Sequence, residues 1–284
     1  MLHDPFSLDE REAQRRSGGG PPGAAIRDRM PEQHRLFFAS LRTLVAATAD
    51  PDGWPAARLL TGSPGFAGSP DAATLHVATA EPGFSPGQVV GLLGIDLATR
   101  RRNRLNGDIV AAGPDGFTVR VRESFGNCPK YIQRRDVAPA ARHPGPVETL
   151  HALDGAARRA IAVADTVFVA SRARSGLGGM DASHRGGRPG FIRVDADRLT
   201  VPEFPGNRYC NTLGNLLSDD RAALLFPDFE RGDLLHLQGR VSVDWAEGRW
   251  TLAVERGWRR REAVPLRWSA PEPSPFLDAI GAAP

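Results

Sequence analysis

The sequence predicts a mainly β protein: two tandem six-stranded antiparallel barrels with peripheral helices, paired within one chain as a pseudo-dimer. Three observations predict it. Through most of the 284 residues, short β-branched or apolar runs alternate with Gly, Pro and Asp turns, the pattern of antiparallel strands. The stretch from Val90 to Gly107 returns without a gap from Ala222 to Gly239: Leu92, Leu93, Asp96, Leu105 and Gly107 meet Leu224, Leu225, Asp228, Leu237 and Gly239, each 132 residues on. The flanks repeat too. Thr43–Thr48 parallels Thr166–Ser171, Pro-Gly-Phe stands at 64–66 and 189–191, and Phe117 and Phe125 are matched by Trp250 and Trp258. A long period present twice marks a duplicated domain rather than a solenoid of short repeats. Two like domains can build internally the interface that a symmetric homodimer builds from two copies, so that interface is the first place to look for function.

Taken in order, residues 1–30 are charged and then Gly/Pro-rich (Ser17 to Gly23), which reads as a flexible or wrapping arm. The first barrel is expected over 31–135. Phe37, Phe38, Leu41 and Leu44 at helical spacing predict a helix from Met30 to Leu44. Strands follow at 43–48, 56–61, 74–79, 105–111 and 117–122, divided by Asp-Pro-Asp-Gly, Ser-Pro-Gly, Pro-Gly and Pro-Asp-Gly turns. This suits a small barrel or a sandwich. The Pro/Ala-rich stretch 136–146 reads as a linker, and 147–277 as the second barrel. That half should open with a helix from Val147 to about Ala164 and continue as strands at 166–171, 190–194, 198–202, 222–226, 233–243 and 249–255. Tyr209, Leu213, Leu216 and Leu217 share one face of a helix predicted over Asn207–Leu217. Residues 278–284 are left as a tail.

Composition narrows the function classes. With 41% hydrophobic and 24% charged residues, each half can bury a core. The 36 basic against 33 acidic residues leave a formal charge of +3. The basic residues are mostly Arg, which suits an anionic small ligand as well as nucleic acid. Cys128 and Cys210 lie in no Cys-x-x-Cys or Cys/His cluster, so neither a metal site nor a disulfide framework is expected. No secretory-type apolar core or membrane-length run is present, and the expected location is cytoplasmic, away from membranes.

Four stretches could carry chemistry. In Pro202–Arg208, a Gly/Asn turn at a helix start would expose backbone N–H groups to an anion, with the Arg208 guanidinium beside them. Otherwise Asn207 only caps the helix and Arg208 is solvated. In Asp181–Arg188, arginines bracket paired glycines that would let a ligand approach the backbone; a surface loop is the alternative. Arg100–Arg104 lacks the interleaved aromatics of a nucleic-acid patch and reads as a hairpin or as arginines supplied to the interface. Phe125–Ile132 has no counterpart in the second half, and within it Lys130 and Tyr131 offer a charge and a ring side by side. Cys128 is either a thiol activated by Lys130 or a buried, inert one. His184 has no nucleophile pattern around it, and no catalytic residue is assigned.

At these residues the chain resembles the pyridoxamine 5′-phosphate oxidase-like, FMN-binding split-barrel flavoproteins, and among them the tandem-domain members. The resemblance covers about residues 30–277. It rests on Gly91–Ile95 with Thr99–Gly107, Ser124–Ile132, Ser183–Phe191, Gly206–Leu216, Asp228–Leu234 and Pro265–Trp268. It implies a six-stranded split β-barrel in each half, with FMN at the seam between them. The implied cofactor contacts are Arg58, Thr61, Lys130, Tyr131, His184, Arg185, Gly186, Arg188, Asn207, Arg208 and Asn211, with Arg208 as the phosphate ligand. The implied activity is that of an FMN-dependent oxidoreductase, the chemistry residing in the flavin. NAD(P)H or a ferredoxin-type reductase would donate electrons, and a homo-oligomer is possible. The alternative is a non-enzymatic flavin, deazaflavin or haem carrier or sensor. Pro265-Leu-Arg-Trp268 is not the substrate-phosphate pattern that ends true pyridoxamine phosphate oxidases, so oxidation of vitamin B6 is not implied.

Overall fold

The structure is a computed structural model that describes residues 4–174 and 179–280; residues 1–3 of the expected arm and 281–284 of the expected tail lie outside the described residues. The first run of strands is β1 (Thr43–Ala49), β2 (Pro55–Thr61), β3 (Ala67–Asp71), β4 (Thr74–Ala78), β5 (Val89–Asp96), β6 (Arg101–Gly113) and β7 (Gly116–Gly126). The short β8 (Val137–Pro139) and β9 (Val147–Leu150) intervene. A second run follows: β10 (Thr166–Ala173), β11 (Gly179–Gly186), β12 (Arg193–Asp195), β13 (Arg198–Pro202), β14 (Arg221–Pro227), β15 (Leu234–Asp244) and β16 (Arg249–Arg260), then β17 (Leu266–Trp268). The helices are α1 (Leu8–Arg16), α2 (Glu32–Ser40), α3 (Gly155–Val163) and α4 (Asn211–Ser218).

The first sheet is ordered β2-β1-β5-β6-β7-β4-β3 and the second β11-β10-β14-β15-β16-β13-β12. Replacing β1 to β7 by β10 to β16 in turn converts one order into the other. Pairing is antiparallel throughout, and β9 adds to the second sheet against β16. Each run has seven strands where a six-stranded barrel was expected: β3 and β5 fall outside the strand ranges placed in the first half, and β11 outside those of the second. The polar, Gly-paired segment at 181–188 reads as a loop in the sequence, yet most of it is strand. Its Asp181 and Ser183 are buried against α4, and Met180 and Ala182 against the other sheet.

Apolar residues alternate along each central strand, so each strand serves two cores. Leu44 and Ala46 of β1, with Val90 and Leu92 of β5, fill the first core; Val167 and Val169 of β10, with Ala222 and Leu224 of β14, fill the second. The intervening side chains, Val45, Ala47, Leu93, Phe168, Ala170, Ala223 and Leu225, form a third core between the sheets. Its packing is reciprocal: β5 lies on β11 as β14 lies on β2. Gly91 permits the approach, since a Cβ there would stand 2.7 Å from the Met180 carbonyl carbon and 2.8 Å from Asp181 Cα.

Four expectations are corrected. The arm is not free: α1 is an ordered helix with a Ser7/Glu10 capping box, and it packs on α4. The expected linker contains β8, which pairs with β17, so the connection is tied to the end of the second half. The helix expected from Val147 is a strand as far as Leu150, because Val147–Leu150 pairs with Gly257–Arg260; the helix begins after the Asp154 cap. The helix expected from Met30 runs only from Glu32 to Ser40, beginning after Pro31, and the chain extends into β1 at Thr43.

Candidate functional site

Arg102 and Arg104 are two apart on β6, opposite Ile95 and Leu93, and therefore on the face of the first sheet that meets the second. His184 of β11, opposite Phe168, occupies the corresponding face of the second sheet. Where the apolar contact between the sheets ends, these side chains wall a cavity of about 420 Å³, within the usual range for a small-molecule site. Its other walls are the 127–131 segment after β7, residues 202–213 leading into α4, Ser17 after α1, and the β15–β16 turn.

Hydrogen bonds across the cavity wall join the halves. Arg104 is buried; its Nη2 donates to Ser183 Oγ at 2.6 Å, its Nη1 to Asn211 Oδ1 at 3.2 Å, and Asp181 lies 3.5 Å away. Ser183 Oγ also meets Thr212 Oγ1 at 2.8 Å. Burial brings Arg104 down to about 10 while Asp181 pulls the other way. Arg102 donates to the Cys128 carbonyl at 2.8 Å and to His184 Nδ1 at 3.2 Å. Since a guanidinium only donates, His184 Nδ1 is the acceptor and the ring proton sits on Nε2, which is buried without a partner. Burial, then Arg102 and Arg185, holds this imidazole neutral, well below 6.5. Arg104 Nε is likewise buried and unpartnered, as is Asn127 Oδ1.

Charge at the site is unbalanced. Glu203 engages Arg185 at 2.7 Å and also accepts from Trp250 Nε1 at 2.9 Å. Arg102, Lys130 and Arg208 have no carboxylate partner among the described residues, and Lys130 lies over the Phe276 ring at 5.4 Å. The backbone is constrained here as well. Six described non-glycine residues have positive φ, and Tyr131 (65°), Arg208 (57°) and Cys210 (60°) are on this cavity; such conformations persist where surroundings enforce them.

Of the residues predicted from sequence, Lys130, Tyr131, His184, Arg185, Gly186, Asn207, Arg208 and Asn211 line the cavity. Arg58, Thr61 and Arg188 do not. Arg58 donates to Thr48 Oγ1 at 2.7 Å beneath Phe84, Thr61 ends β2 opposite Thr43, and Arg188 pairs with Asp278 at the surface. Two local readings also change. The helix starts at Asn211, so Asn207 is not its cap; Asn207 Oδ1 instead accepts from Tyr209 N at 3.2 Å. The N–H groups of Asn211, Thr212 and Leu213 precede the first intrahelical bond, Gly214 to Cys210, and belong to residues on the cavity. Gly186 and Gly187 make room for protein, not ligand: a Cβ on Gly186 would strike the Tyr131 carbonyl, and one on Gly187 the Phe191 ring. Arg102 and Arg104 were read only as part of a solvated hairpin or as an arginine supply for the interface. A sharper signal lay in rare residues, because Lys130 is the single lysine of the chain and both cysteines, Cys128 and Cys210, join it on this cavity.

The equivalent position on the other side of the interface is differently filled. By strand equivalence Arg104 and Ser183 correspond to His236 and Arg58, and Phe125 to Trp258. There His236 stacks on Trp258, 4.9 Å between centroids at 10°, and Arg58 stands beneath Phe84 from a helix-free loop where the second half has α4. Burial, followed by Arg58, lowers His236 to about 4.

Among the described residues no group of three or more His, Cys, Asp or Glu could hold a metal ion, and no helix is long and apolar enough to cross a membrane. Both cysteines are free.

No family model matches the chain, and no curated protein matches it. Solved structures do. One described as a pyridoxamine 5′-phosphate oxidase, from Lactobacillus delbrueckii, is 17% identical, covers 35% of this chain and 95% of its own, and has a TM-score of 0.28. An FAD-binding protein of Mesorhizobium loti is 11% identical over 41% of this chain and 99% of its own, at 0.29. The MrkH–c-di-GMP complex of K. pneumonia is 11% identical over 84% of this chain and 88% of its own, also at 0.28.

Proposed function

We propose that the chain binds a phosphorylated flavin, FMN, in the cavity between the sheets and serves as a flavin-dependent oxidoreductase. The observation that carries this reading is the pairing of uncompensated cations, Arg102, Lys130 and Arg208, with buried donors that lack a protein partner, His184 Nε2 and Arg104 Nε. Leaving such groups unpaired costs free energy that an anionic, hydrogen-bonding ligand would return. The aromatic wall of Tyr131, Phe204 and Phe191, with ring centroids 5.2 and 6.5 Å apart in sequence, suits a planar ring system. The residues therefore fit the group that the motifs imply.

Arg208, Lys130 and the first-turn N–H groups of α4 would hold the phosphate. Arg102 fixes the tautomer of His184, so that Nε2–H is a standing donor and not a proton shuttle near neutral pH. Tyr131, whose hydroxyl donates to the Pro205 carbonyl at 2.8 Å, braces the 127–131 segment against the second half. The flavin, when bound, supplies the electron-transfer chemistry. NAD(P)H or a ferredoxin-type reductase is the proposed donor.

Titration of the purified protein with FMN, followed by quenching of flavin fluorescence, tests the reading. Saturable uptake is expected, weakened roughly 30-fold or more by Arg208→Ala or Arg102→Met. Turnover with NADH, NADPH or a reductase separates an enzyme from a carrier. Absence of FMN uptake by the unaltered chain would remove the proposal.

A further inference from the structure

The N-terminal helix reaches the site through three side chains. Glu10, the third residue of α1, is used twice: Oε2 accepts from Ser7 N at 2.8 Å in the capping box, and Oε1 accepts from the Asn211 amide Nδ2. Asn211 Oδ1 in turn accepts from Arg104 Nη1 at 3.2 Å. An amide donates from nitrogen and accepts at oxygen, so the carboxylate on one side and the guanidinium on the other fix its orientation. Glu10, Asn211 and Arg104 thus form one chain from the arm, through the second half, to a cationic wall of the cavity supplied by the first half.

The arm is fitted to this place. A Cβ on Gly214 would lie 2.8 Å from Glu10 Cγ and 2.9 Å from its Cα and N, so the α1 backbone rests directly on α4. Ala13 is fully buried, Gln14 Nε2 donates to the Tyr209 carbonyl at 3.1 Å, and Phe6 meets the Tyr209 ring edge-on at 5.3 Å. The helix then delivers Ser17 to the cavity wall and turns away through Gly18 and Gly19, both with positive φ.

We propose that Glu10 is a positioning residue for the ligand site: through Asn211 it holds Arg104 at the cavity wall, so that docking of α1 and binding of the ligand are coupled. Without Glu10, Asn211 loses the partner that orients it and Arg104 is left to Ser183 and Asp181, which stand behind the wall. Coupling is reciprocal: whatever factor the docked arm contributes to ligand affinity, bound ligand returns to arm docking.

This inference rests on the proposed ligand site, and its test separates the two. FMN affinity is measured by fluorescence quenching on the full chain, and docking of α1 by the rate of tryptic cleavage at Arg15 and Arg16. Glu10→Ala is expected to weaken FMN binding roughly tenfold. Glu10→Gln, which keeps an acceptor for Asn211, should stay within about threefold. Saturating FMN should slow cleavage of the arm in the unaltered chain but not in Glu10→Ala, a difference that a purely structural role would not produce. Gly214→Leu, which displaces α1 without touching the cavity, should reproduce the loss of affinity. FMN binding indifferent to Glu10→Ala and Gly214→Leu, or an arm cleaved at one rate with and without FMN, overturns the coupling and leaves the flavin reading standing. Failure of the unaltered chain to take up FMN overturns both.

Discussion

Replacing Glu123 by Gln should make the protein more stable by a margin that grows as pH rises from about 4.5 to about 7 and is constant above that. Glu123 sits with Asp181 and Glu10 beneath the cavity, and Asn106 Nδ2 donates to both its Oε2 and Asp181 Oδ1 at 2.9 Å. Burial, then the charge of Asp181, raises its carboxyl from 4.5 to about 7. A raised carboxyl pKa means that the folded protein holds this proton more tightly than the unfolded chain does. The group's contribution is fully present below 4.5 and is lost as pH rises through about 7. At roughly 1.4 kcal/mol per tenfold change in proton affinity, the rise corresponds to about 3 kcal/mol of destabilisation by pH 8.5. Gln keeps an acceptor for Asn106 and carries no charge. Thermal melts of the two proteins should therefore nearly coincide at about pH 4.5 and part by about 5 °C at pH 8.5, with Glu123→Gln the higher. A stability difference that stays flat between these pH values would refute the assignment of a buried, protonated carboxyl.

Two further outcomes follow from the interface. Gly91→Val should destabilise the fold by about 3 kcal/mol or more, because its side chain would enter the Met180–Asp181 backbone; urea denaturation measures this, and an unchanged midpoint would contradict the packing of β5 on β11. Equilibrium titration should find one FMN per chain, since His236, Trp258, Arg58 and Phe84 occupy the second equivalent position. A stoichiometry of two would show that this position opens.

What the sequence discloses depends on how local the cause is. The repeated Leu-Leu and Asp signals are local, and they correctly led to two sheets of like path. The Glu/Asn/Arg chain at the site is not: Glu10 and Asn211 are 201 positions apart and Arg104 and Asn211 are 107 apart, and none of these residues is unusual in its own neighbourhood. Composition also misleads where polar groups are buried in satisfied form. Asp181-Ala-Ser-His reads as a loop because its polar atoms find α4 only in the fold. The Gly-rich 17–23 segment suggested freedom, but Ser7 and Glu10 just before it are the signature of a capped helix. Lys130 and Tyr131 were legible as cavity residues because Phe125–Ile132 is not repeated in the second half, and Arg208 because it ends a Gly/Asn turn ahead of a predicted helix.

The reciprocal packing of the two sheets has an evolutionary consequence when both are carried on one polypeptide. In an assembly of two identical subunits every substitution is made twice, so a cation introduced at the cavity appears at both of its copies, and any cost is doubled. Here Arg104 faces a serine, while its counterpart position holds a histidine stacked on tryptophan. Covalent joining lets the two sides diverge, one keeping an open cavity lined by cations and the other a packed histidine–tryptophan stack, each free to change without the other's consent.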